Sequence, residues 1–542
     1  MRTRWAPPAA VLAVCLPPVW GLWRTQGAPM EEGFMLVFPE LVLQGKVPNR
    51  DFLHLYGPGS LWVLALVFAV FGVGLAAERT VGFLQHLGVA FGVFALLRPW
   101  GPWLAAGGGA LAAMIVLTPS GLTAMAWIGG VALGLWALRA ALEGLEAPAG
   151  SSRRTRQLVL AGVLAGAALL YRLDLVLAVG LSAAVVVAGL DRRGRRVFFV
   201  ALAIGLAPYL VHLAMAGPGD AFHGMVVEPV FDLRGGRRLP LPPSIDHFDG
   251  FLQGAGALDQ PPWPFPAPAG PLQLDLWLGV LAATVVALAA GGLRAHRGRG
   301  DRRLLAIAAF CVGLLPQALQ RPDSTHLAWV SCVPIGMLPA AVVELTRGRH
   351  IAPRRLAAVA LAVPALLTFA LVPYFTWRPY GEAIAQTFGR RLVEQTMRHG
   401  DRYFPYKRHD AVAAVNEMLP VVDDVTEPGD TLIVGPGDLR KTPYSEAFLY
   451  FLLPDLEPGT RYIEMDPGVA NAPDSGLADE LAAADVVILS TIRDDWHEPN
   501  DSRRFGPDEP NRVLARDFCL VQKFGDSPFY TDRGLYELYR RC

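Results

Sequence analysis

Apolar residues run almost unbroken through twelve stretches of this chain, near 6–23, 60–77, 81–97, 102–118, 120–138, 158–171, 173–190, 197–216, 275–293, 304–319, 327–346 and 355–375. Such runs are longer than a buried strand, and each predicts a helix in hydrocarbon. The predicted fold class is a polytopic α-helical membrane protein with about eleven to thirteen membrane helices. From about Gly381 the pattern changes. Residues 410–427 read as a helix, and "DTLIVG", "RYIEM", "DVVILS", "FCLVQKF" and "LYELYRR" as strands separated by helices or loops. The chain therefore divides into a membrane domain over 1–375 and a soluble α/β domain over 376–542.

Charge orients the runs. Arginines cluster at Arg139 to Arg156, Arg192 to Arg196, Arg294 to Arg303 and Arg347 to Arg355, and the positive-inside rule makes these loops cytoplasmic. That leaves 24–59, Tyr171–Asp174, 217–274, Gln320–His326 and everything after about Tyr374 outside the cytoplasmic (inner) membrane, with the C-terminal domain extracytoplasmic. The alternation fails only over 81–138, where three apolar stretches need an even number of crossings. Gly107-Gly108-Gly109 and Thr118-Pro119 offer places for a break there. The N-terminal run follows Arg2 and Arg4 and has no A-x-A-like cleavage site after it, so it reads as an uncleaved helix. Segment 217–274 carries eleven prolines, including "RRLPLPPS" and "PPWPFPAPAGP". It is too long for a passive connector and predicts a structured cap over a site.

Composition narrows the function classes. Only 18% of residues are charged, against about a quarter in soluble domains. Basic and acidic residues are equal at 48 each; without a basic domain or base-stacking motif, nucleic acid is excluded as a partner. Of five cysteines, Cys15, Cys311 and Cys332 lie in apolar runs. Cys519 and Cys542 fall in the polar C-terminal region and can pair in an oxidising compartment. No Cys/His spacing resembles a zinc site. Gly435-Pro436-Gly437 lacks the remaining glycine and the Lys-Ser/Thr of a phosphate loop, and reads as a turn.

The chemistry concentrates on the predicted outer face. "PMEEGFMLVFPELVLQGKVPNRDFLHLYGPG", residues 29–59, carries Glu31, Glu32, Glu40 and Asp51, then His54 and Tyr56. Gly33 to Leu43 reads as a helix, and the turn at Gly45 to Pro48 can bring Asp51 back towards Glu31 and Glu32. Glu40 reads as a solvated loop acid. Two very short outer turns repeat Arg-x-Asp: "YRLD" with Arg172 and Asp174, and "QRPDSTH" with Arg321, Asp323 and His326. Ionisable groups so near hydrocarbon are costly and tend to mark a functional cavity, although both pairs can also be local structural ion pairs. A carboxylate can take the proton of an attacking sugar hydroxyl, and arginine holds phosphate oxygens bidentately. Acids and arginines at one membrane face thus suit sugar transfer from a lipid phosphate.

The stretch "EEGFMLVFPELVLQGKVPNRDFLHLYGPG" resembles the first extracytoplasmic loop of GT-C glycosyltransferases, as in protein O-mannosyltransferases and aminoarabinose transferases. Their pattern is an acidic pair and glycine, a juxtamembrane helix, "G-x-x-P-x-x-D", and Gly-Pro opening the next helix. The resemblance covers roughly 1–375 in architecture, with specific motifs near 30–60 and looser ones at 171–174 and 320–326. It implies inverting transfer of a sugar from a polyprenyl-phosphate donor to a glycan, lipid or protein acceptor outside the membrane. By position, Glu31 and Glu32 match the acidic pair and Asp51 the later acid, as catalytic candidates. His54, Tyr56, Arg172, Asp174, Arg321, Asp323 and His326 are candidates for substrate binding. The usual pair is Asp-Glu; here it is Glu-Glu, which leaves open which glutamate is the base. No cofactor is certain. Some relatives hold a divalent cation near these acids and others do not, so metal stays open. The competing classes are a transporter or flippase for lipid-linked glycan, against which no internal repeat is visible, and a non-catalytic envelope scaffold.

Overall fold

A computed structural model describes residues 5–254, 263–390, 392, 395–441, 445–495 and 498–542. Arg2, Arg4 and residues 255–262 of the proline-rich segment lie outside the described residues. Each of the twelve apolar runs is helical. Eight helices are long and apolar enough to cross a membrane: Ala6–Arg24, Leu75–Trp100, Ala126–Glu146, Arg192–Ala216, Gly270–Arg299, Arg303–Gln320, Ser324–Thr346 and Pro353–Leu371. Gly59–Phe71, Pro102–Val116 and Leu173–Val187 are shorter apolar helices, and Ser152–Tyr171 carries arginines in its first turns. The protein is a polytopic α-helical membrane protein with a sheet-bearing C-terminal region.

Local chemistry sets the helix ends. Pro29 opens Pro29–Leu43 at a position that needs no N–H, and Glu31 and Glu32 sit in its first turn, where the helix dipole favours acids. Asp323 caps Ser324–Thr346 by accepting the His326 amide. Between spans, small residues allow close approach: a Cβ at Gly166 would lie 2.7 Å from Gly205 Cα. Glycine leaves that space to the neighbouring backbone, and the close approach gains the dispersion contacts that hold helices together in lipid.

The three stretches over 81–138 form the helices Leu75–Trp100, Pro102–Val116 and Ala126–Glu146, and Gly59–Phe71 is set apart by its packing. At its start, a Cβ on Gly57 would meet the Leu170 carbonyl at 2.1 Å. Further along, Leu61, Leu64 and Phe68, with Leu75 beyond, share one core with Phe34 and Phe38 and with Met397, Phe404 and Phe448. The helix therefore packs along its length on the C-terminal region. Arginine-rich loops gather at one end, where Arg303 pairs with Glu146, Arg299 with Glu344 at 2.7 Å and Arg154 with Asp191 at 2.8 Å. Apolar composition shows that the helix belongs in a non-aqueous layer but not whether it crosses; its neighbours decide that.

In the C-terminal region β1 (Gln395–His399) and β2 (Arg402–Tyr406) form an antiparallel hairpin that the sequence pattern did not indicate. β3 (Thr431–Pro436), β4 (Glu457–Pro458), β5 (Val486–Ser490), β6 (Phe518–Asp526) and β7 (Gly534–Arg541) make a second sheet, ordered β4-β3-β5-β7-β6. β3 runs parallel to β4 and β5, while β7 is antiparallel to β5 and β6. Helix His409–Val425 covers it with Ala411, Val415, Met418 and Val422. Cys519 and Cys542 form a disulfide. "RYIEM", expected as a strand, is not one. The strand ends after Pro458, and 461–465 turns out of the sheet through Met465, whose φ is +53°.

Candidate active site

Neighbouring residues on a helix point about 100° apart, and that separates the two glutamates. Glu32 turns inward and is fully buried. Its carboxylate accepts from Arg79 Nε at 2.7 Å and Nη2 at 2.8 Å, and Arg79 donates onward to the carbonyls of Leu22 and Trp23. Glu78, beside it, accepts the Ala124 amide at 2.5 Å. Glu32 thus ties the first helix, the Pro29–Leu43 helix and the Leu75–Leu97 helix together. It lines neither cavity. The structure commits this candidate base to a buried guanidinium, away from both cavities.

Glu31 faces open space. It lines a small cavity of about 80 Å³ with Tyr56, Arg237, Arg321, His326 and Glu464. It also lines a larger one of about 550 Å³ whose far wall carries Lys407, Arg408 and Arg493. Met30, Glu31 and Leu252 are common to both. Leu252 and Arg237 come from the proline-rich segment 217–274, which therefore contributes to the wall of the site.

Asp51 does not fold back to Glu31. Its Oδ2 accepts the Val47 amide at 2.7 Å and it pairs with Arg50, closing the turn at 47–51. The Arg50 hydrogen bond holds its carboxyl below the usual carboxylate range. It lines neither cavity. His54 is buried edge-on to Phe38 and Tyr56, and burial pushes its pKa down to about 3, so the ring is neutral. Arg172 is a layer deeper than expected. It lies 3.9 Å from the Tyr56 ring centroid and pairs bidentately with Asp174 at 3.0 and 2.6 Å. Tyr56 lines the small cavity and Arg172 supports it from beneath.

The second Arg-x-Asp turn does reach the cavity. Arg321 Nε donates to Asp323 at 2.9 Å, Nη2 to both Glu498 oxygens at 2.9 and 2.8 Å, and Nη1 to the Arg237 carbonyl. Asp323 accepts from His326 at its amide and at Nδ1, which fixes that ring. Burial raises the Asp323 carboxyl, but His326 and Arg321 more than offset it and leave it lowered. Burial keeps Glu498 raised despite Arg321.

Arg237, Glu464 and Glu498 were missed by reading the sequence. Three arginines in "RGGRR", in a segment whose expected outer position runs against the inward bias of basic residues, were the available signal for the first. The acids sit in the C-terminal domain, far along the chain, and nothing local links them to Glu31. Among the described residues no group of three or more His, Cys, Asp or Glu is placed to hold a metal ion, so no step is derived through one.

Neither a protein-family model nor a curated protein sequence matches this chain. Solved structures do. ArnT from Cupriavidus metallidurans bound to undecaprenyl phosphate superposes with a TM-score of 0.54 at 15% identity, covering 99% of this chain and 98% of that one. The chain has the GT-C fold. The oligosaccharyltransferase of Archaeoglobus fulgidus in its apo form gives 0.52 at 14% identity, over 98% of this chain and 75% of that one. Within this fold the cavity shared by Glu31, Arg237, Arg321 and Glu464 sits where helix ends of the apolar region meet the C-terminal region.

Proposed function

We propose that this chain is a lipid-phosphate-dependent glycosyltransferase of the cytoplasmic membrane, working on its outer face with the C-terminal domain extracytoplasmic. One observation carries the reading: among the described residues, Glu31 is the only charged side chain lining both cavities. A hydroxyl in the larger cavity and a phosphate in the smaller one would meet across it. Glu31 takes the acceptor O–H proton. The oxygen forms a bond to the anomeric carbon from the face opposite the phosphate, and the sugar–phosphate bond breaks. Polyprenyl phosphate departs with the electron pair, and the anomeric configuration inverts. Arg237 and Arg321 supply positive charge beside the departing oxygens. Their carboxylate partners Asp466, Asp323 and Glu498 fix them in place before substrate arrives.

Three further features support it. The site lies at helix ends, where a lipid headgroup would be met if these helices span the bilayer. The arginine-rich loops lie at the opposite end, as the inward bias of basic residues requires. ArnT, whose fold this chain shares, was solved bound to undecaprenyl phosphate. A glycan, lipid or protein acceptor would occupy the larger cavity, where Lys407, Arg408 and Arg493 line the wall. The test is to incubate purified protein with a panel of polyprenyl-phosphate sugars and follow sugar transfer or release. Glu31→Gln should lower the rate about 100- to 10,000-fold. Undiminished transfer by Glu31→Gln would refute the assignment, and lipid translocation without transfer would favour a flippase.

A further inference from the structure

Resting on that reading, we propose that Glu464 of the C-terminal domain contacts the substrate, its carboxyl group donating a hydrogen bond to the phosphate of the lipid donor. The argument begins with the backbone. After the strand ends at Pro458, the chain turns through Met465, a buried non-glycine residue at φ +53°, in the left-handed region that L side chains rarely adopt. The turn is held by the Met465 amide on the Tyr462 carbonyl at 2.9 Å and by the Ser445 amide on the Glu464 carbonyl at 3.1 Å. It projects Glu464 into the cavity opposite Glu31 and sends Asp466 to Arg237. Arg237 Nη2 lies 3.6 Å from Glu464 Oε2 and makes its closer pair with Asp466.

Charge decides what Glu464 does there. It faces Glu31 from the Pro29–Leu43 helix, Arg237 from the outer segment and Asp466 from its own turn. Arg321 and His326 line the same cavity. Burial raises the Glu464 carboxyl well above the usual range; Asp466 and Glu31 add to this, and Arg237 only partly opposes it. Arg237 already pairs with Asp466, and Arg321 with Asp323 and Glu498, which leaves little charge in the cavity to spare for a phosphate beside Glu31. An ionised Glu464 would repel it. A protonated one removes that repulsion and supplies a donor, while Glu31 stays the acceptor for the hydroxyl proton. The C-terminal domain thereby becomes part of the reaction site.

The sign follows directly. A raised carboxyl keeps its proton below its folded pKa and loses it as pH rises through that value, so phosphate affinity should fall on the alkaline side. The experiment measures binding of undecaprenyl phosphate to the full chain in detergent from pH 7 to 9.5, above the second ionisation of a phosphate monoester near about 6. A glutamine side chain is a neutral isostere of the protonated acid and keeps a donor, whereas alanine keeps none, so the variants are Glu464→Gln and Glu464→Ala. At pH 7 Glu464→Gln should bind within about twofold of wild type, and Glu464→Ala about ten- to a hundredfold more weakly. Rising pH should weaken wild type but leave Glu464→Gln flat. Equal binding by Glu464→Ala, equal weakness of both variants, or a parallel alkaline loss in wild type and Glu464→Gln would each overturn the proposal. If wild type itself fails to bind the lipid at any pH, the lipid-phosphate reading falls with it; if wild type binds and the variants misbehave, only the role of Glu464 falls. Melting of Glu464→Gln at the wild-type temperature confirms the fold.

Discussion

Exchanging Glu32 and Glu31 for glutamine one at a time should produce opposite phenotypes, although the two residues are adjacent. Glu32 makes two hydrogen bonds of 2.7 and 2.8 Å with Arg79, and the side chains are 0% and 1% exposed. No water can replace the lost carboxylate. Removing one member of a buried pair costs about 3–5 kcal/mol, because the other charge is left without compensation. Glu78 remains next to Arg79, and a glutamine keeps one acceptor, so about 3 kcal/mol is expected for Glu32→Gln. Glu31→Gln removes a carboxylate that faces a cavity and should change stability by no more than about 0.5 kcal/mol. Thermal melting in detergent and a polyprenyl-phosphate transfer assay, run on both variants, separate the effects. Glu32→Gln should melt well below wild type, and Glu31→Gln should melt with wild type but transfer about 100- to 10,000-fold more slowly. Wild-type melting with abolished transfer in Glu32→Gln would refute the division of roles.

Two more outcomes follow from the fold. A cysteine placed by Gly74→Cys, in the open turn after Gly59–Phe71, should react with a membrane-impermeant thiol reagent on the side that labels the C-terminal domain; labelling only from the arginine-rich side would make that helix a true span. Cys519 and Cys542 are 23 residues apart and bonded, so Cys542→Ser should destabilise the C-terminal domain by about 3 kcal/mol, and intact-mass measurement without reductant should show the native chain two hydrogens lighter than after reduction. A chain that is fully reduced as isolated from its native compartment would contradict both the bond and an oxidising outer location.

Much of the molecule was present in one dimension. The apolar runs named every membrane helix because burial in hydrocarbon needs some twenty consecutive apolar residues, a purely local property. β3, β5, β6 and β7 were visible for a similar reason, since a short apolar or alternating run between turns already specifies a strand. The hairpin β1–β2 was not, being polar along one side, and "RYIEM" misled because its composition suits a strand while its partners hold it in a turn. Whether Gly59–Phe71 crosses was undecidable from composition, since a helix packed on other apolar helices looks the same as one in lipid.

The site divides in the same way. Sequence placed acids and arginines at one face, because motif spacing and loop charge are read directly along the chain. It could not separate Glu31 from Glu32, a 100° turn of one helix apart, nor see that Asp51 closes its own turn on Val47 and Arg50. It gave no hint that Arg237 and Glu464 line one cavity with Glu31, across 206 and 433 positions of chain, or that Glu498 pairs with Arg321 there. Pairing of that range carries no local pattern. It exists only where helix ends, the proline-rich segment and the C-terminal turn pack together, and burial there, rather than residue type, decides which carboxyl groups hold charge.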